Sequence, residues 1–222
     1  LSGKTASVQP SVENYASAMK GVCSPKDIET MLQLLYLNFT QPRFDRNDYD
    51  NLIKMLRSQL ENARTNPDYL MQEKVIDMTY GHNPRRQMIS NEIIDKFDFE
   101  RLPAVYAKLY PGAKGFVFTF VGNIDPETLK PLAEKYIGSI PAARKPLNYV
   151  DDKVEPVKGE VAEEFTAPMQ QPKVSVVYYF SGKMPYTFKD KVALTFLTQA
   201  LDSRYLISIR EEKGGTYGVS VQ

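Results

Sequence analysis

Residues 115–141 read GFVFTFVGNIDPETLKPLAEKYIGSIP, and the order of residue types in this stretch decides what kind of fold the chain can adopt. Gly115 to Val121 is apolar on both faces apart from Thr119, the pattern of a strand buried inside a sheet. Gly122 and Asn123 turn the chain, Asp125 supplies an N-cap, Pro126 suits the first helical position, and Gly138 ends the helix. A buried strand followed at once by a capped helix belongs to a mixed fold in which helices cover a sheet.

Towards the N-terminus the chain is helix-rich. Residues 5–19 alternate loosely up to Gly21, a weak strand signal. Ser24, Pro25 and Asp27 then open a helix whose apolar face is Ile28, Met31, Leu32 and Leu35. A second helix from about Asn47 carries Tyr49, Leu52, Ile53, Leu56, Leu60 and Ala63 on one stripe, with Asn51, Lys54 and Arg57 facing away. Asn66 and Pro67 start a third, with Leu70, Met71, Val75 and Met78, ended by Gly81. Ser90 caps a short helix, and Asp98 caps a longer one that Pro111 and Gly112 stop.

Towards the C-terminus the composition changes. Between Pro141 and Pro168 four prolines sit among many charges with almost no helical periodicity, as in a linker, apart from a short strand signal at 161–165. Residues 173–180 then read as a strand, 182–185 as a turn and 188–201 as a helix, repeating the strand, turn and helix order of the first unit. The expected division is 1–146, a linker at 147–168, and 169–222. Leu1 is not a methionine and Gln222 falls inside the strand-like run 216–221, so both ends read as cuts in a longer polypeptide.

Composition removes several function classes. Twenty-eight Lys and Arg against 27 Asp and Glu leave a formal charge of +1, so no overall field recruits nucleic acid or an anionic membrane. The longest apolar runs are far short of the roughly 20 residues that span a bilayer. A single cysteine, Cys23, excludes an internal disulfide and a thiolate metal cluster, and leaves the compartment open. The only histidine, His82, excludes any zinc motif that needs two histidines on one helix, and in the loop Tyr80-Gly81-His82-Asn83-Pro84 it reads as an exposed turn residue. The turn at Gly122 has the order of a phosphate-binding turn, but one glycine without a P-loop lysine, next to the anionic Asp125, reads as a plain strand-to-helix connection.

The most informative chemistry lies in SRYLISIREEKGGT, residues 203–216, where a charged helix end meets two glycines and the strand-like Thr216-Tyr217-Gly218-Val219. Arg210 offers a planar fixed cation and Tyr217 a phenolic donor, together able to hold a peptide carbonyl or a developing oxyanion. On physical grounds alone the plainer reading is favoured: Arg210 complements a helix C-terminus and Tyr217 packs on a sheet.

Three stretches shift that balance: GVCSPKDIETMLQLLYLNFTQPRF, the run from NPDYLMQEKVIDMTYGHNP to YPGAKGFVFTFVGNIDPETLKPLAEKYIGSIP, and SRYLISIREEKGGTYGVSV. In content and order, and over most of the chain, they resemble the insulinase and pitrilysin (M16) family of metallopeptidases. The resemblance implies repeated α+β units, each an antiparallel sheet with helices on one face, and here parts of two such units. It implies that Arg210 and Tyr217 contact the peptide substrate, while the zinc of the complete enzyme is held by a catalytic half in the same chain or in a partner subunit. The family's third zinc ligand, a glutamate on the second helix, falls near Gln59, with Glu61 the nearest acid. Glutamine replaces an anionic ligand poorly, so the first unit reads as an inactive repeat with no catalytic residue or metal ligand of its own. A non-proteolytic structural subunit, like the core proteins of respiratory complexes, is the alternative. Bacterial periplasm and cytoplasm are both compatible with the sequence. If 141–168 links two packed units, limited proteolysis cuts there first. First cuts within 47–64 would contradict the division.

Overall fold

The structure, a computed structural model, describes residues 2–142, 148–216 and 218–222. It is α+β, and among the described residues it forms one antiparallel hairpin and seven α-helices. Two compact units separate between Lys173 and Val174, five residues beyond the end of the expected linker.

The first unit opens with β1 (Ala6–Val12) and β2 (Ser17–Cys23), paired from Ala6 with Cys23 to Val12 with Ser17. The loose alternation therefore hides a complete hairpin. Helix α1 (Ile28–Thr40) follows after a single 3-10 turn. Asp27 fixes the junction: it is 1% exposed, accepts the Thr5 N–H at 3.0 Å and the Ser24 hydroxyl at 2.6 Å, and lies 3.3 Å from Lys4. Ser24 thus gives its hydroxyl to a carboxylate instead of capping the helix backbone as expected. Leu32 and Leu35 bury the inner face of α1, and full burial of a leucine such as Leu32 contributes about 1.5–3 kcal/mol.

Helices α2 (Arg46–Arg64) and α3 (Pro67–Tyr80) begin where the caps place them. Asp45 accepts the Asn47 and Asp48 amides, Asn66 accepts the Asp68 amide, and Gly81 ends α3 with φ 58°. Helix α4 (Asn91–Ile94) buries Ile94, and Arg57 of α2 reaches it through Asp95 at 2.6 Å. Helix α5 (Leu102–Leu109) leads to Tyr110, which is 3% exposed and donates its hydroxyl to the Ser11 and Ala18 carbonyls at 2.9 and 3.3 Å. Phe39, Tyr106 and Phe116 pack around that ring. Tyr106 donates to the Asn38 carbonyl, and burial pushes its phenol up to about 12.

Residues 116–121 form no regular element and pair with no strand among the described residues, and Val117 is 90% exposed. An interior strand needs ladder partners on both edges, and the described residues supply neither. A trough of about 1160 Å³ lies beside this segment, lined by Val8, Met19, Met31, Leu35 and Phe39 among others. Helix α6 (Pro126–Tyr136) returns over α1, where Tyr136 and Lys135 donate to Glu29 at 2.8 and 3.1 Å. Parts of the expected linker are docked on α3: the Val157 amide donates to the Thr79 carbonyl at 2.8 Å, and Lys74 pairs with Glu163 at 3.1 Å. The short strand expected at 161–165 does not form.

The second unit contains α7 (Phe188–Tyr205), capped by Thr187, and a wider π turn at Leu206–Glu211. Residues 174–180, 216 and 218–222 belong to no sheet, in contrast to the strands expected over 173–180 and 216–221.

The hydroxyl of Ser24, then the Thr5 amide, with Lys4 beside them, hold the Asp27 carboxyl down from 3.8 to about 2. A depressed carboxylate contributes stability above its unfolded value, and that stability is lost as pH falls through the folded value. Asp27→Asn is therefore expected to lower the melting temperature at neutral pH and to flatten its decline between pH 4 and about 2. Equal acid sensitivity in both proteins would show that Asp27 does not tie the hairpin to α1.

Candidate functional site

The site expected from sequence lies at the end of α7. Past Tyr205 the helix widens, and the Glu212 amide reaches the Ile207 carbonyl at 2.9 Å, five residues back. Single π turns are uncommon and concentrate at functional positions. Gly214 ends the turn with φ 59°, its amide bonded to the Arg210 carbonyl, while the Gly215 amide reaches the Ile209 carbonyl, each at 3.0 Å. Glycine takes that backbone conformation at no steric cost. Arg210 projects from this turn with half of its side chain exposed, and its Nε lies 3.6 Å from Glu211 Oε1. An exposed pair of neighbours of this kind is worth little, so the guanidinium keeps donors for another acceptor. Tyr217, the second expected contact, lies outside the described residues.

One residue of this region was not singled out from sequence. Asp202, in the last turn of α7, accepts the Val221 amide on Oδ1 at 3.0 Å and so ties the segment after the glycines back to the helix. Its partner lies 19 residues along the chain, too far for spacing to name it.

The remaining candidates separate on geometry. His82 is 82% exposed in its loop, with Nδ1 3.7 Å from Asp77. Gln59 and Glu61 are exposed on α2, on either side of the buried Leu60. Burial, then the Asp27 carboxylate, push the Cys23 thiol up, which disfavours the thiolate that a metal or an electrophile requires. Asp125 accepts the Glu127 and Thr128 amides and the Thr128 hydroxyl, so the start of α6 already holds an anion and the Gly122 turn leaves a phosphate little room there. Among the described residues no group of three or more His, Cys, Asp or Glu side chains converges as metal ligands would, so they do not fit a zinc ion. No helix among them is long and apolar enough to cross a membrane.

Residues 96–222 match the family model described as the Peptidase M16 inactive domain. A protein of Arabidopsis thaliana named "Zinc protease PQQL-like" is 25% identical over 206 residues, which cover 88% of this chain and 21% of the relative. A "Probable zinc protease PqqL" of Escherichia coli (strain K12) is 24% identical over 198 residues, covering 86% of this chain and 20% of the relative. A protein of the same name in Haemophilus influenzae is 19% identical over 226 residues, covering 94% and 22%. The chain thus spans about a fifth of the length of these relatives. The family match takes in α5, α6, α7 and the Arg210 turn, and the chain belongs to the M16 peptidase family, within its inactive domain.

Proposed function

We propose that this chain is the non-catalytic, substrate-binding portion of a zinc-dependent endopeptidase, and that Arg210 and Tyr217 are its contacts with the peptide. The observation that carries this reading is the match of residues 96–222 to the inactive domain of a peptidase family, in a chain whose Arg210 is presented on a glycine-capped π turn. The zinc then belongs to another domain of the same polypeptide or to a partner subunit, in keeping with the dispersed His82, Cys23 and Gln59.

The chemistry suits such a division. A peptide carbonyl gains negative charge when its carbon is attacked, and a donor fixed in advance at that oxygen lowers the barrier without reorganising. The phenol of Tyr217 is such a donor. The guanidinium of Arg210 holds a carbonyl through a planar fork, which a lysine ammonium cannot reproduce. Both bind and orient; neither cleaves.

In the complete enzyme, Tyr217→Phe is expected to lower peptide turnover by about 10²–10³ if its hydroxyl meets the developing oxyanion, with zinc content and melting temperature close to wild type. A structural hydroxyl would instead cost about 1 kcal/mol of stability and leave turnover unchanged. Arg210→Lys is expected to slow turnover as well. Wild-type rates in both variants, with lowered melting temperatures, would overturn the substrate-contact reading and make the pair structural.

A further inference from the structure

Residues 152–173 have the composition of a linker, with Pro156, Pro168 and Pro172 among many charges, yet they are tied along α3 at four places. Asp152 pairs with Arg85 at 3.1 Å, the Val157 amide donates to the Thr79 carbonyl at 2.8 Å, Glu163 pairs with Lys74 at 3.1 Å, and Lys173 pairs with Asp68 at 2.8 Å. As the numbers along this strap rise, those of its partners fall. It therefore runs antiparallel to the helix, from just past its C-terminus to its first turn. The charges select that register. Sliding the strap by one ion pair in either direction would set Glu163 against Asp68 or Lys173 against Lys74, a like-charged pair.

The docked position is specific at its centre and weak elsewhere. Thr79 is among the last four residues of α3, whose carbonyls have no partner within the helix, and the Val157 amide supplies one. Gly81 leaves room for the Val157 side chain, since a Cβ there would lie 3.1 Å from Val157 Cγ1. The six side chains of the three ion pairs are between 41% and 68% exposed. Pairs so placed contribute little each and are screened by salt. The strap contains no helix or strand, and Lys153, beside Asp152, holds φ 52°, a left-handed conformation that a lysine rarely adopts. A segment with few buried contacts and local backbone strain belongs to the low-stability end of a fold.

We propose that residues 152–173 are a releasable latch, closed on α3 at low ionic strength and opened by salt or by the loss of one of its charges. Closed, it leaves no free chain ahead of the second unit, because the division falls between Lys173 and Val174. Open, the same residues become the tether that their composition describes, stiffened by prolines and extended by charge. The state of the latch thus sets the length of free chain that precedes the second unit.

Hydrogen exchange of the complete protein, read by mass spectrometry on the peptide that contains the Val157 amide, tests this. At about 10 mM salt, where charges are felt over about 30 Å, the amide is expected to be protected. At about 1 M, where that range falls to about 3 Å, its exchange is expected to be about tenfold faster, each of three exposed pairs contributing a factor of about 1.4 to 5. Peptides from α2 and α6 are expected to keep their rates. Lys74→Glu and Glu163→Lys are each expected to open the latch at low salt, and the two together to close it again with the pair reversed. Should either variant unfold, the salt series on the unaltered protein decides. Protection that survives about 1 M salt, wild-type protection in both single variants, fast exchange in the double variant, or an unprotected Val157 amide at low salt would each overturn the proposal.

Discussion

Tyr110 is the point on which the first unit converges. Its hydroxyl holds the Ser11 and Ala18 carbonyls of the hairpin, and its ring meets Phe39 of α1, Tyr106 of α5 and Phe116 of the segment that follows. No other described residue ties the hairpin, α1 and α5 together in this way with one side chain that is almost fully buried. The requirement is physical: a buried phenol must find a partner for its hydroxyl, and the two carbonyls supply it only while the hairpin keeps its register. Packing and register are thereby coupled, and Asp27 repeats the device at the other end of the hairpin.

The second unit is organised differently. It is a single long helix whose end widens, caps on glycine and receives its own chain back through Asp202. Much of α7 is exposed apolar surface, including Phe196 and Leu197, so local ties and not a core define the geometry near Arg210. The turn there depends on hydrogen bonds and backbone conformation, in keeping with its two glycines and the bond from the Val221 amide to Asp202.

The helices were legible in the sequence because their signals are local. Asp45, Asn66, Ser90, Asp98, Asp125 and Thr187 each accept an amide at the start of a helix or 3-10 turn. Gly81 stops α3 in the left-handed conformation that its position demands. The strands were less so, for a reason of the same kind: a strand is completed by residues elsewhere in the chain, so the weak signal over 5–19 proved a hairpin while the apolar run 115–121 stays unpaired among the described residues. At the candidate site, Arg210 and its glycines could be read from charge and turn chemistry, whereas the π turn and the bond from the Val221 amide to Asp202 left no local signal in the sequence.

The central claim is that the turn around Arg210 touches the peptide during the reaction. It is tested most directly by placing a photoreactive benzophenone side chain at the exposed Lys213, three residues beyond Arg210, in the complete enzyme. Irradiation with a labelled, slowly cleaved peptide is expected to give an adduct on this turn that unlabelled peptide competes away. An enzyme that still cleaves the peptide at its normal rate yet forms no adduct at this position would contradict the account.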